Sequence, residues 1–155
     1  MPDPDDRLAA LEARVAALEG APVDPASDGG EPGESGEVSY QGRVHLAGEV
    51  KWSIRYDAAA TLELADGAVA DVLAALGHPV RLAIVRRLLT NAASTSELTE
   101  AAALSSTGQL YHHLRTLTSA RVVEQEGRTY RVPATGVVPV LVAILAAADL
   151  GGALR

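Results

Sequence analysis

Residues 94–132 read STSELTEAAALSSTGQLYHHLRTLTSARVVEQEGRTYRV, and the fold turns on how this stretch is read. Ser94 with Glu97, then Ser106 with Gln109, repeat the spacing of a helix capping box. In that motif the serine hydroxyl accepts the amide three residues on, and the longer side chain returns to the serine's own amide. The first box opens a short helix containing Leu98. The second opens a longer one carrying Leu110, Leu114 and Leu117, with Leu104-Ser105 leaving only a tight turn between. Two helices joined this way make a helix-turn-helix. After Ala120 the apolar period drops to two, and Arg121–Gln125 and Arg128–Val132 flank Glu126-Gly127 as a tight hairpin. A hairpin in this place is a wing.

Upstream, Asp66 is placed to cap a helix bearing Val69, Val72, Leu73 and Leu76, which Gly77 ends. Pro79 suits the first turn of the next helix, which runs to about Thr90 with Leu82, Ile84, Val85, Leu88 and Leu89. Downstream, Pro139 is expected to open an apolar helix through Val140, Leu141, Ile144 and Leu145, stopped by Gly151-Gly152. So small a domain cannot cover that helix. Val140, Leu141, Ile144 and Leu145 are therefore the expected core of a homodimer, with a tetramer left open.

Before the helices, Val38, Tyr40, Val44 and Leu46 alternate with mostly polar residues, Ala47-Gly48-Glu49 turns the chain, and Val50, Trp52, Ile54 and Tyr56 alternate again. This predicts a β-hairpin with one apolar face. Trp52 either anchors that hairpin or covers a pocket for a small apolar effector. Gly20 to Glu37 is rich in Gly, Pro, Ser and acids and reads as a flexible linker. Earlier still, Leu8, Leu11, Val15 and Leu18 follow a heptad, with Arg7 and Arg14 at g and Glu12 and Glu19 at e. In a parallel two-stranded coiled coil each g arginine would face a partner's e glutamate. The same spacing suits a lone amphipathic helix, and two heptads alone are too short for a stable zipper.

The expected organisation is mainly α with a small β component (α+β). It runs as a coiled-coil helix over 1–19, an acidic linker over 20–37, a hairpin over 38–64, a winged helix-turn-helix over 65–135 and a dimerisation helix over 136–155.

Leu73-Ala74-Ala75-Leu76-Gly77-His78-Pro79-Val80-Arg81-Leu82-Ala83-Ile84 resembles the opening of the ArsR-type winged-helix repressors. Leu110-Tyr111-His112-His113-Leu114-Arg115-Thr116-Leu117 resembles their recognition helix, and Val122-Val123 the strand after it. The likeness spans roughly residues 66–132. It implies a homodimeric, sequence-specific binder of double-stranded DNA, a repressor that releases its site on binding a ligand. Three departures stand out. The family's metal-sensing cysteines have no counterpart in Ser94-Thr95-Ser96-Glu97-Leu98-Thr99. The last helix offers only Asp149, and Arg121 stands where the family has a glycine before the wing.

Composition narrows the chemistry. The 155 residues contain no Cys and no Phe, and the formal net charge is −7. Ten of the twenty acids lie in residues 1–37 against Arg7 and Arg14, while 78–132 holds seven arginines and four acids. The acidity thus belongs to the N-terminal arm, and the DNA module is mildly basic. No apolar run has membrane-spanning length and the opening is acidic, so a cytoplasmic protein without membrane contact is expected. The histidines at 45, 78, 112 and 113 lack a ligand spacing with a third donor, and no nucleophile elbow or phosphate loop occurs. Neither a metal, a cofactor nor an enzymatic activity is expected.

With Leu110, Leu114 and Leu117 turned inward, Gly108, His112 and Arg115 turn outward beside Gln109 and Tyr111. Base reading normally uses the N-terminal part of such a helix, here Ser106, Thr107, Gln109 and His112. Gln109 suits adenine, Arg115 guanine or a phosphate, and Gly108 lets the backbone approach the duplex. Arg128, at the wing tip, reaches a neighbouring minor groove or backbone. The competing expectation is a protein-interaction or assembly module on a winged-helix scaffold.

Overall fold

The computed structural model describes residues 35–154. Leu8, Leu11, Val15, Leu18 and the linker as far as residue 34 lie outside the described residues. In chain order the elements are β1 (Glu37–Val44), β2 (Val50–Asp57), α1 (Ala58–Leu62), α2 (Asp66–Leu76), α3 (Pro79–Thr90), β3 (Ala93–Ser94), α4 (Thr95–Ala101), α5 (Thr107–Ser119), β4 (Glu124–Glu126), β5 (Thr129–Arg131) and α6 (Ala134–Leu150). The architecture is α+β, with two small antiparallel sheets, β1-β2 and β3-β5-β4. Among the described residues no single helix is long and apolar enough to cross a membrane.

One core unites the helices and the wing. Ile84, Val85, Leu88 and Leu89 of α3, Leu98 of α4, and Leu110, Leu114 and Leu117 of α5 are all buried. Val122, Val123, Tyr130 and Val132 bring the wing to the same cluster, and Val137 and Val140 bring α6. Among the described residues no polar or charged residue is buried.

The hairpin pairs Val38 with Tyr56, Tyr40 with Ile54, Gly42 with Trp52 and Val44 with Val50. These eight share one face, because side chains alternate along a strand. Val44 and Val50 pack against the main core. Gly42 lies against α6 so closely that a Cβ there would stand 2.7 Å from a methyl of Val138. The far end of the same face is bare, with Val38 52% and Tyr56 44% exposed. Trp52 is half-buried, and its indole Nε1 is buried without an acceptor among the described residues.

Five expectations need correction. The hairpin stops at Asp57 rather than running to 64. The Asp57 carboxylate accepts the Ala60 amide at 2.9 Å and so starts α1, five residues long and too short to show a helical apolar period. Leu46 belongs to the turn region and is exposed, not on the strand's apolar face. Asp66 is the first residue of α2, whose N-cap is Ala65, with no side-chain cap. Helix α6 starts at Ala134, so Pro139 sits inside it and the segment 136–155 begins two residues into the helix. Burial of Val137 and Val138 holds the turn before the proline, even though a helix-interior proline lacks the amide for its usual bond. Finally, the wing gains a third strand, β3, too short to show in any periodicity. Its tip is Gly127-Arg128, one residue later than expected, since Glu126 pairs with Thr129. Gly127 takes a φ of +60° there, a conformation such short turns assign to glycine.

Candidate nucleic-acid interface

The interface is built around α5, so what fixes α5 comes first. Both arms of the Ser94 capping box on α4 are present: the Glu97 amide donates to Ser94 Oγ at 3.4 Å, and the Ser94 amide donates to Glu97 Oε2 at 2.8 Å. Arg87 near the end of α3 then donates to Glu97 Oε1 at 2.9 Å and to the Asn91 carbonyl at 3.1 Å, tying α3 to the start of α4. Hydrogen bonds from Ser94 and the nearby Arg87 charge hold the Glu97 carboxyl below its usual range.

Between α4 and α5 the chain reverses at Ala103, which adopts a φ of 50°. The Leu104 amide donates to the Thr99 carbonyl at 3.0 Å, closing the turn. Ser106 caps α5 by accepting the Gln109 amide at 3.4 Å. The return arm expected from Gln109 is not made. Gln109 Oε1 accepts instead from Ser105 Oγ at 3.2 Å, which steadies the glutamine on the outer side of the turn.

The consequence is a sharply two-sided helix. Leu110, Leu114 and Leu117 are at most 2% exposed, while Ser106, Thr107, Gly108, Gln109, Tyr111, His112 and Arg115 are all exposed. The predicted reading residues thus form one contiguous outer surface. Gly108 has open space where a Cβ would stand, its nearest neighbour being Ser106 Oγ at 3.9 Å. Nothing in its own chain requires glycine there, although glycine in a helix costs about 0.5–1 kcal/mol relative to alanine.

His113 belongs elsewhere. It is half-buried, its Nδ1 is buried without a hydrogen-bond partner among the described residues, and its ring lies 4.9 Å from that of His78. His78 in turn caps α3, its Nδ1 accepting the Val80 amide at 3.2 Å. Burial lowers the His113 pKa, and the neighbouring His78, Arg81 and His112 add to the effect. His113 therefore seats α5 against the α2–α3 corner.

The arginines divide by what they touch. Arg81 Nε and Nη2 donate to the carbonyls of Ala75 and Ala74 at 2.6 and 2.7 Å, closing the end of α2. Arg87 is bound to Glu97, and Arg131 pairs with Glu124 at 2.7 Å and Glu126 at 3.3 Å. Of the arginines in the helices and wing, that leaves Arg86, Arg115, Arg121 and Arg128, each exposed and without an ion pair among the described residues. Arg115 lies on α5 and Arg128 on the wing tip, as the sequence placed them. Arg121 was not anticipated as a contact. It holds a φ of 58° between α5 and the wing, a region that disfavours any side chain with a Cβ. The signal was present in the sequence as an arginine in a corner where the resembling family has glycine.

The residues assigned to a dimer core divide as well. Val140 is buried within the chain, Leu141 and Ile144 are half-buried, and Leu145 is 56% exposed. Among the described residues no group of three or more His, Cys, Asp or Glu is placed to hold a metal ion.

A family described as a domain of unknown function (DUF7347) matches residues 69–144. No curated protein matches the chain. Among solved structures, it is similar to a homodimeric winged helix-turn-helix DNA-binding domain from Mycobacterium bovis, described as a possible ArsR-family transcriptional regulator. That match is 28% identical, covers 59% of this chain and 86% of the other, and has a TM-score of 0.45. It is also similar to NolR from Sinorhizobium fredii, at 22% identity, 61% and 93% coverage and a TM-score of 0.46.

Proposed function

We propose that the chain is a sequence-specific regulator of transcription in the cytoplasm, binding double-stranded DNA as a homodimer and repressing by occupying its site. Helix α5 enters the major groove, and the wing lies along the adjacent backbone or minor groove. The observation that carries this reading is the outer surface of α5. A capped helix seated on its buried leucines exposes Ser106, Thr107, Gly108 and Gln109 at its start, with Arg115, unpaired among the described residues, one face-turn on. Donors and acceptors at the start of such a helix are what reads base edges. Gln109 takes the adenine-reading role, with its side chain already positioned by Ser105. Thr107, Tyr111 and His112 flank it, and Arg115, Arg121 and Arg128 supply charge to phosphates or the minor groove.

The homodimer is supported by what the fold leaves bare. Leu73 on α2 is 62% exposed, and Leu145 and Leu150 on α6 are 56% and 91% exposed. Apolar side chains on two helices of one small domain call for a partner surface.

Selection of bound fragments from sheared genomic DNA, followed by salt titration on the best one, tests the proposal. Enrichment of a short inverted repeat is expected, with a log–log salt slope of about −0.9 per phosphate contact. Loss of discrimination between this repeat and a scrambled duplex on Gln109→Ala is expected too. No enrichment even at low salt, beside a stable oligomer, would instead favour a protein-assembly module.

A further inference from the structure

The hairpin formed by β1 and β2 lies outside the helix-turn-helix and wing to which DNA binding is assigned above, and its charges are unevenly matched. On its polar face Arg43 stands directly opposite Lys51, and like charges across a strand pair repel. Lys51 has Glu49 at 3.5 Å, whereas Arg43 has no ion pair among the described residues. At the other end of β1, Glu37 stands on the same face, 3.2 Å from Arg55. Each strand of this two-stranded sheet has one open edge among the described residues. Open strand edges invite further strands.

We propose that two copies of the chain join edge to edge through β1, antiparallel about a two-fold axis at Tyr40, to make a four-stranded sheet across the dimer. In this register Tyr40 faces its own copy, Ser39 faces Gln41, Val38 faces Gly42, and Glu37 faces Arg43. The spacing is dictated by the sequence, because a symmetric antiparallel pair matches residues whose numbers have a constant sum. Only an even sum keeps the apolar faces together. Of those, the sum centred on Tyr40 brings the lone Arg43 to a carboxylate, twice per dimer. It also sets the bare end of each apolar face, at Val38, beside the partner strand's covered end, at Gly42, where α6 packs. The β2 edge is less suited. Its terminal Asp57 is committed to the α1 cap and to the Ser35 hydroxyl, which donates at 2.7 Å.

This deepens the homodimer proposed above and rests on it. The absence of cysteine makes the test direct. Tyr40→Cys places a thiol on the two-fold axis, where facing strand residues lie within disulfide reach. Mild oxidation is expected to convert the variant to a covalent dimer on a non-reducing gel, while Ile54→Cys, the matching centre of β2, stays monomeric there. Because Tyr40 is half-buried, a charge cycle on exposed residues runs alongside. Glu37→Arg and Arg43→Glu should each weaken the dimer roughly tenfold by sedimentation equilibrium, as two symmetric cross-strand pairs turn repulsive. The two together should restore it. Cross-linking at 54 but not 40, or a double variant as weak as the singles, overturns the register. A dimer that neither cross-links at 40 nor responds to the charge variants overturns the edge contact and leaves the homodimer standing. A chain that is monomeric at every concentration overturns both.

Discussion

Helix α5 and helix α6 are both leucine-bearing helices of one small domain, yet they treat their leucines in opposite ways. All three leucines of α5 are at most 2% exposed, and apart from Gly108 its exposed residues are polar, aromatic or charged. In α6 the buried apolar residues end at Val140, and beyond them Leu145 and Leu150 stand in the open, with Asp149 the one charged residue of that helix. A helix apolar on every side needs cover on every side. The first helix is complete within its own fold and offers a surface to a polar partner. The second is complete only when something apolar covers it.

Substituting leucine in each helix exposes the difference most strongly. Leu114→Ala removes packing from a sealed core and should cost about 2–5 kcal/mol in urea unfolding. Leu145→Ala should change the stability of the isolated monomer by less than about 0.5 kcal/mol, as exposed sites do, while lowering self-association. Equal destabilisation by the two would abolish the distinction between a finished and an unfinished face.

Arg121→Gly should act next most strongly, and in two directions. Relief of the left-handed arginine should stabilise the chain by about 1–2 kcal/mol in thermal melts. Loss of its charge should weaken DNA binding and make the salt slope shallower by about 0.9 for each protomer of the bound dimer. A variant that is more stable and binds as tightly would reduce Arg121 to a strained corner with no role. Gly108→Ala repeats the pattern on a smaller scale. It should gain about 0.5–1 kcal/mol in stability, since open space awaits the methyl, but should bind DNA less well by holding the backbone off the duplex.

What was legible in the sequence follows the same division. The helix-turn-helix and its wing could be read from residue pattern because local rules govern them: Ser94 and Ser106 cap, Pro79 starts and Leu110, Leu114 and Leu117 repeat at helical spacing. The elements that escaped reading are set by tertiary contact. Strand β3 exists only because Tyr130 and Thr129 are there to pair with it. The first turn of α6 is held by packing of Val137 and Val138, which outweighs the preference of Pro139 for a helix start. The second arm of the Ser106 box failed because Ser105 competes for the Gln109 side chain, an outcome invisible to a motif. Gly42 gave no signal until Val138 was found against it.

The smallest effect is one of pH, and it too separates two places. His113 is kept from protonation by burial and by its positively charged surroundings, so its pKa in the folded chain lies below the ordinary 6.5. The unfolded chain then takes up the proton more readily. The stability linked to this group is complete above the ordinary value and is lost as pH falls from there toward the folded pKa. Glu97 is also depressed, from an ordinary 4.5, and its contribution is lost only at more acid pH, as the carboxylate takes a proton and releases Ser94 and Arg87. Melting temperature followed downward from neutral pH should therefore fall in two stages. His113→Gln should flatten the first stage and leave the second in place, whereas Glu97→Gln should do the reverse. If His113→Gln left the first stage unchanged, the histidine would not be neutral by constraint, and its place as the seat of α5 against the α2–α3 corner would have to rest on packing alone.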